Sequence, residues 1–217
     1  MLLIFACWYL ISSLVKFTRC DFVATNFARP AQDLNITLFN EGERKFYNIS
    51  VMFRPEIPIP LIRKYYDSVG PVAMLSILER SHNYCHDEGH NVGKVVYERT
   101  GSLAAAMLLC GSRCTHGCFH GAIMQLMINI IETSTVGSMQ IAKSGKKSIR
   151  AYYQKICNNV TAGLKDDSGD CFHALGHAIL AVVVNNNISA CMEECKAVKE
   201  RYDQYACLCS WCIHGVD

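Results

Sequence analysis

Residues Cys85–His90 read CHDEGH, which sets two histidines four apart, a cysteine before the first and a glycine before the second. Residues Cys171–His177, CFHALGH, repeat the arrangement with one extra residue after the cysteine. On an α-helix, residues at i and i+4 share a face, with β-carbons about 5–6 Å apart. His86 with His90, and His173 with His177, can therefore each aim two imidazoles at one point. That predicts helices at both stretches and makes the four rings candidate metal ligands, since two helices facing one another can build a metal site in their shared core.

The surrounding residues extend the parallel. After CHDEGH come Cys110-x-x-x-Cys114 and then Cys118-Phe119-His120-Gly121; after CFHALGH come Cys191-x-x-x-Cys195 and then Cys212-Ile213-His214-Gly215. The same three motifs occur in the same order with different spacings, and loops absorb such insertions at low cost. The reading is a duplicated Cys/His helical unit, about 71–157 and 158–217, with the second unit abbreviated or cut short. His120 and His214 join the candidate ligands. Gly89 and Gly176 cost about 1 kcal/mol of helix stability relative to alanine, so close approach of another helix or of a metal is expected there. The bland alternative is a set of hydrogen-bonded core histidines. His82 and His116 have no counterpart and read as surface or linker residues.

Apolar residues recur at helical spacing from Pro71 onward, in PVAMLSILERS, GAIMQLMINIIE and CFHALGHAILAVVV among others. Residues 21–70 differ. They hold four of the five prolines and an alternating stretch, Lys45–Phe53, and read as an extended N-terminal arm with one strand. The fold class is thus mainly α: a disulfide-braced helical domain over 71–217, behind that arm and a leader.

The leader is the apolar run Leu2–Val15. It is shorter than the roughly 20 residues of a membrane span and suits a signal peptide over 1–20. No lysine or arginine precedes it, while Lys16 and Arg19 follow, which departs from the usual charge order. Four Asn-x-Ser/Thr sequons, at Asn35, Asn48, Asn159 and Asn187, agree with secretory entry. So do the 13 cysteines, which an oxidising compartment would mostly pair. Cys7 and Cys20 fall in the leader, so 13 − 2 leaves eleven, an odd number. One is then free, bridged to a partner chain, or paired outside this sequence. The disulfide candidates are Cys85, Cys110, Cys114, Cys118, Cys171, Cys191, Cys195 and Cys212. Both lacing of the two Cys-x-x-x-Cys faces and pairing within units (Cys85–Cys118, Cys171–Cys212) are open, because connectivity is not legible in sequence.

Several chemistries can be weighed on the residues. The zinc-protease motif needs glutamate directly after the first histidine; Asp87 and Ala174 stand there. Covalent c-type haem needs Cys-x-x-Cys-His, and Cys209-Ser-Trp-Cys212-Ile-His214 has one residue too many; non-covalent haem stays open. A formal charge of +2 gives no argument for nucleic acid, and the basic run Lys143–Arg150 reads as solvated. The leading expectation is a secreted or lumenal glycoprotein without a membrane span, whose histidines bind zinc, copper or iron. Asp87 and Glu88 are the nearest carboxylates, and no residue is assigned to catalysis. The alternatives are a non-catalytic disulfide-stapled binding or structural module, and a helical thiol oxidoreductase using Cys209 and Cys212.

Overall fold

The computed structural model describes residues 36–54, 56–82, 84–135, 152–153, 155–158, 168–198, 204 and 206–208. The leader, Asn35, Asn159, the basic run, Cys209, Cys212 and His214 lie outside them. The described chain is mainly helical and contains no strand.

The first correction concerns the arm. Over Lys45–Phe53, where alternation predicts a strand, the chain forms helix α1 (Glu41–Met52). Asn40 is the cause: its side chain accepts from the Glu43 N–H at 2.9 Å, and Glu43 returns the favour to the Asn40 N–H at 2.9 Å. This reciprocal box satisfies two of the donors that open a helix. Phe46 and Ser50, one turn apart, are then the buried face. Helix α2 (Ile59–Val69) follows, with proline in its first turn, where a missing N–H costs nothing. Gly70, at φ +78°, turns the corner directly into α3 (Pro71–Ser81). The proline-rich stretch therefore starts helices rather than ending a strand.

Helix α4 (His86–Thr100) carries the first histidine pair and ends on Gly101 in the left-handed region, a common helix terminator. Helix α5 (Leu103–Cys110) is capped by Ser102. Helix α6 (Gly117–Thr135) packs along α4 on one side and along α7 (Ser168–Ala178) on the other. A π-helical turn (Ile179–Val183) prolongs α7, and α8 (Ile188–Cys195) packs against that turn. Helices α1, α2 and α3 pack on one another, and α2 and α3 also pack on α4. The core joins Phe46, Ile62, Met74 and Leu78 to Val92, Val95, Ile123 and Met127, all fully buried. Each such side chain contributes about 1.5–3 kcal/mol by leaving water.

Among the described residues four disulfides brace the fold: Cys85–Cys114, Cys110–Cys118, Cys157–Cys171 and Cys195–Cys207. The two Cys-x-x-x-Cys faces are not laced together; Cys85–Cys114, Cys110–Cys118 and Cys195–Cys207 close within the expected stretches 71–157 and 158–217, with partners other than Cys85–Cys118 and Cys171–Cys212, and Cys157–Cys171 joins the two stretches. Cys114 lies in the turn that folds over the start of α4, so it takes Cys85, while Cys118 in the first turn of α6 takes Cys110 at the end of α5. Cys171 pairs with Cys157. Neither Cys157 nor Cys207 is among the disulfide candidates expected from sequence, where Cys207 reads only as an exchange partner for Cys209 and Cys212. Cys191 is free and buried, so in the folded chain it does not reach a partner protein. Four bridges fit an oxidising compartment, and no helix among the described residues is long and apolar enough to cross a membrane.

Burial, and secondarily Glu194, push the Cys191 thiol up to about 11. At pH 8 only about one molecule in a thousand then carries the reactive thiolate, against about one in ten for a thiol near 9. Native Cys191 is expected to resist iodoacetamide at pH 8 and to alkylate promptly in denaturant, as peptide mass spectrometry would show.

Candidate metal centre

The site starts with glycine. A Cβ on Gly93 would lie 1.7 Å from the Cys118 carbonyl oxygen, one on Gly117 2.2 Å from that of His86, and one on Gly121 1.9 Å from that of His90. Gly89 meets the Cys118 nitrogen at 3.0 Å in the same way. Gly89 and Gly93 on α4 thus face Gly117 and Gly121 on α6, each pair one turn apart. Only a missing side chain permits such backbone approach. The glycine before His90 therefore serves helix packing. Gly93 and Gly117 were not singled out from sequence, although each lies four residues from a glycine of the motifs, Gly89 and Gly121.

This close seam brings His120 of α6 to the histidines of α4. His120 Nδ1 lies 3.3 Å from His86 Nε2, and His90 Nε2 lies 3.1 Å from the same atom. From the other side α7 delivers His177, its ring stacked on His120 with centroids 4.6 Å apart, and His173, 5.1 Å from His120. His173 and His177 bring their Nε2 atoms to 3.2 Å. Five of the six candidate ligands thus meet between three helices. His86, His120 and His177 are buried and offer nitrogens within 4.8 Å of one another, a group that could hold a metal ion. His90 and His173 are partly exposed.

The turn before α6 fixes the first ring. Cys114, Thr115 and His116 all have positive φ, 50°, 50° and 65°. For three successive residues that are not glycine this is strained, at about 1–3 kcal/mol each. The Cys85–Cys114 bridge holds the turn, as does Glu79 Oε1, which accepts from the Cys114 N–H at 2.9 Å. The turn places the Thr115 carbonyl 3.1 Å and its hydroxyl oxygen 3.0 Å from His86 Nδ1. That hydroxyl donates to the Cys114 carbonyl at 2.7 Å, so both Thr115 oxygens are acceptors towards the ring. Nδ1 of His86 must carry the proton, and Nε2 presents a bare lone pair to His90 and His120. Such orientation by a partner on the far nitrogen is how ligand histidines are commonly set. No sequence signal marks Thr115, because no glycine announces the left-handed turn.

His120 is the least comfortable member. Its Nε2 is buried without a hydrogen-bond partner among the described residues, at a cost of about 1–3 kcal/mol. Burial first, then His177, His173, His86 and His90, hold this ring well below the ordinary imidazole range. It is neutral at neutral pH, the state that binds a metal.

His82 and Glu88 correct the sequence reading. His82 is buried rather than superficial, and its Nδ1 lies 2.8 Å from Glu88 Oε1, also buried. Glu88 thus points away from the histidine cluster and ties the end of α3 to α4. Glu88→Ala is expected to cost about 2–4 kcal/mol of stability, since it strands a buried polar partner, with metal content per folded molecule unchanged. Urea denaturation beside metal analysis would check both halves. His116 is half-buried and pairs with Asp170 of α7 at 3.5 Å. Asn48 and Asn187 are exposed.

The chain matches no family model, no curated protein and no solved structure.

Proposed function

We propose that the chain is a secreted or lumenal glycoprotein that holds a transition metal in this histidine centre. His86, His120 and His177 are the inner ligands, and His90 and His173 flank them. His214, counterpart of His120 in the duplicated unit, belongs to the same proposal. The observation that carries it is the way the imidazole nitrogens face one another. His86 Nε2 has one lone pair and two nitrogens within 3.3 Å, and His120 Nε2 has no partner among the described residues. As a hydrogen-bonded core this is incompletely satisfied; around a cation it is a ligand set. Two nitrogens about 2.0–2.1 Å from one zinc ion at a tetrahedral angle lie about 3.3–3.4 Å apart, close to the separations present.

Imidazole donors suit zinc, copper or iron. The rings touch one another directly, which supports a bare ion over haem, whose macrocycle would have to part them. Entry to the secretory pathway is supported by the leader, the sequons and the disulfides. The test is metal analysis of the full chain purified from a secretory host. Wild-type protein should retain stoichiometric metal through desalting. The triple variant His86→Ala, His120→Ala, His177→Ala should carry none while keeping its helical circular dichroism. Metal-free wild-type protein that also takes up no added zinc, copper or iron would overturn the reading in favour of the stapled, non-catalytic module.

A further inference from the structure

We infer that His90 and His173 are entry ligands: they receive the ion at the surface and pass it to the buried nitrogens of His86, His120 and His177, so that the centre exchanges its metal with the surroundings. The inference rests on the metal reading above and deepens it.

The five rings make one compact cluster that burial divides. His86, His120 and His177 are 4%, 1% and 7% exposed, and their nitrogens form the group close enough for one ion. His90 and His173 are partly exposed and stand outside that group. They are the part of the cluster that solvent reaches. Each also neighbours the inner rings. The His90 centroid lies 4.6 Å from that of His86, 5.7 Å from His120 and 5.8 Å from His177. The His173 centroid lies 4.9 Å from His177 and 5.1 Å from His120.

The nitrogen spacing suits a hand-over. His90 Nε2 lies 3.1 Å from His86 Nε2, and His173 Nε2 lies 3.2 Å from His177 Nε2. Two nitrogens on one zinc ion stand about 3.3–3.4 Å apart, so an outer and an inner ring can hold the ion together. The ion gains an inner nitrogen before it loses the outer one, and each nitrogen that binds displaces one of its waters. Carrying an unligated ion into the buried triad would bear a heavy desolvation cost, which this order avoids. The reverse order leads out. A competing chelator reaches the ion while an outer ring holds it, so release quickens as chelator is added.

The experiment uses the full chain from a secretory host, stripped with chelator. Zinc uptake is followed by stopped flow against a colour indicator, and release is followed into excess EDTA. In the wild-type protein the release rate should rise in proportion to EDTA. In the double variant His90→Ala, His173→Ala, uptake and release should each slow about tenfold, or about 1.4 kcal/mol in the exchange barrier, so that Kd moves far less than either rate. Circular dichroism and protection of Cys191 report that the fold survives. Release that ignores the EDTA concentration, or double-variant rates equal to wild type, would overturn the entry role while the metal reading stands. Faster release with a proportionally weaker Kd would do the same, by making the outer rings resident ligands. A wild-type chain that takes up no zinc would overturn both. Should the double variant fail to fold, the EDTA dependence of the wild-type protein decides the matter alone.

Discussion

Gly121→Ala is expected to separate α4 from α6 and to destabilise the protein by more than about 3 kcal/mol. Within an ordinary helix the same change gains about 1 kcal/mol. Here the new Cβ would sit 1.9 Å from the His90 carbonyl oxygen, and a backbone atom has no rotamer by which to yield. The helices must move apart, which also draws His120 away from His86 and lowers metal affinity. Gly93→Ala should behave alike, its Cβ falling 1.7 Å from the Cys118 oxygen. Gly42→Ala on α1 is the control. Its nearest neighbours lie at 3.3 Å or beyond, so a change under about 1 kcal/mol is expected there. Urea unfolding of the three variants distinguishes a steric seam from a general intolerance of alanine. Equal, small effects at all three positions would contradict the packing described.

Removing the metal should have the second large effect. A ligand that binds only the native state, present at a thousand times its dissociation constant, stabilises by about 4 kcal/mol. For a chain of this length that corresponds to a melting temperature about 10 °C lower after chelation. The loss should reverse on adding back zinc. In a His120→Ala protein the chelator effect should be much smaller, because one of the three inner ligands is gone. An equal chelator effect in wild type and variant would place the stabilising metal elsewhere.

Much of the site was legible because helical geometry is simple. Two histidines four apart must share a helix face, and the parallel motifs brought His120 into the set. What was not legible depended on partners distant in sequence. The Cys85–Cys114 pairing follows from where the 114–116 turn folds, and Thr115 became a ring-orienting residue only because that turn is left-handed without glycine. His82 looked isolated because its partner Glu88 lies on the opposite face of α4 from the histidines. The α1 error has a different origin. Alternation over Lys45–Phe53 competes with the Asn40–Glu43 capping box, and the box, with Phe46 buried one turn inside it, wins. The prolines misled for the same reason: Pro60 and Pro71 occupy first-turn positions, where they favour a helix start.

The central claim is that imidazoles from α4, α6 and α7 surround a metal, and X-ray absorption at the metal edge of the purified full-length protein tests it most directly. The account predicts a first shell of nitrogen or oxygen near 2.0 Å with the outer-shell scattering of several imidazole rings and no sulfur. A sulfur-dominated shell, or a shell without imidazole scattering, would contradict it.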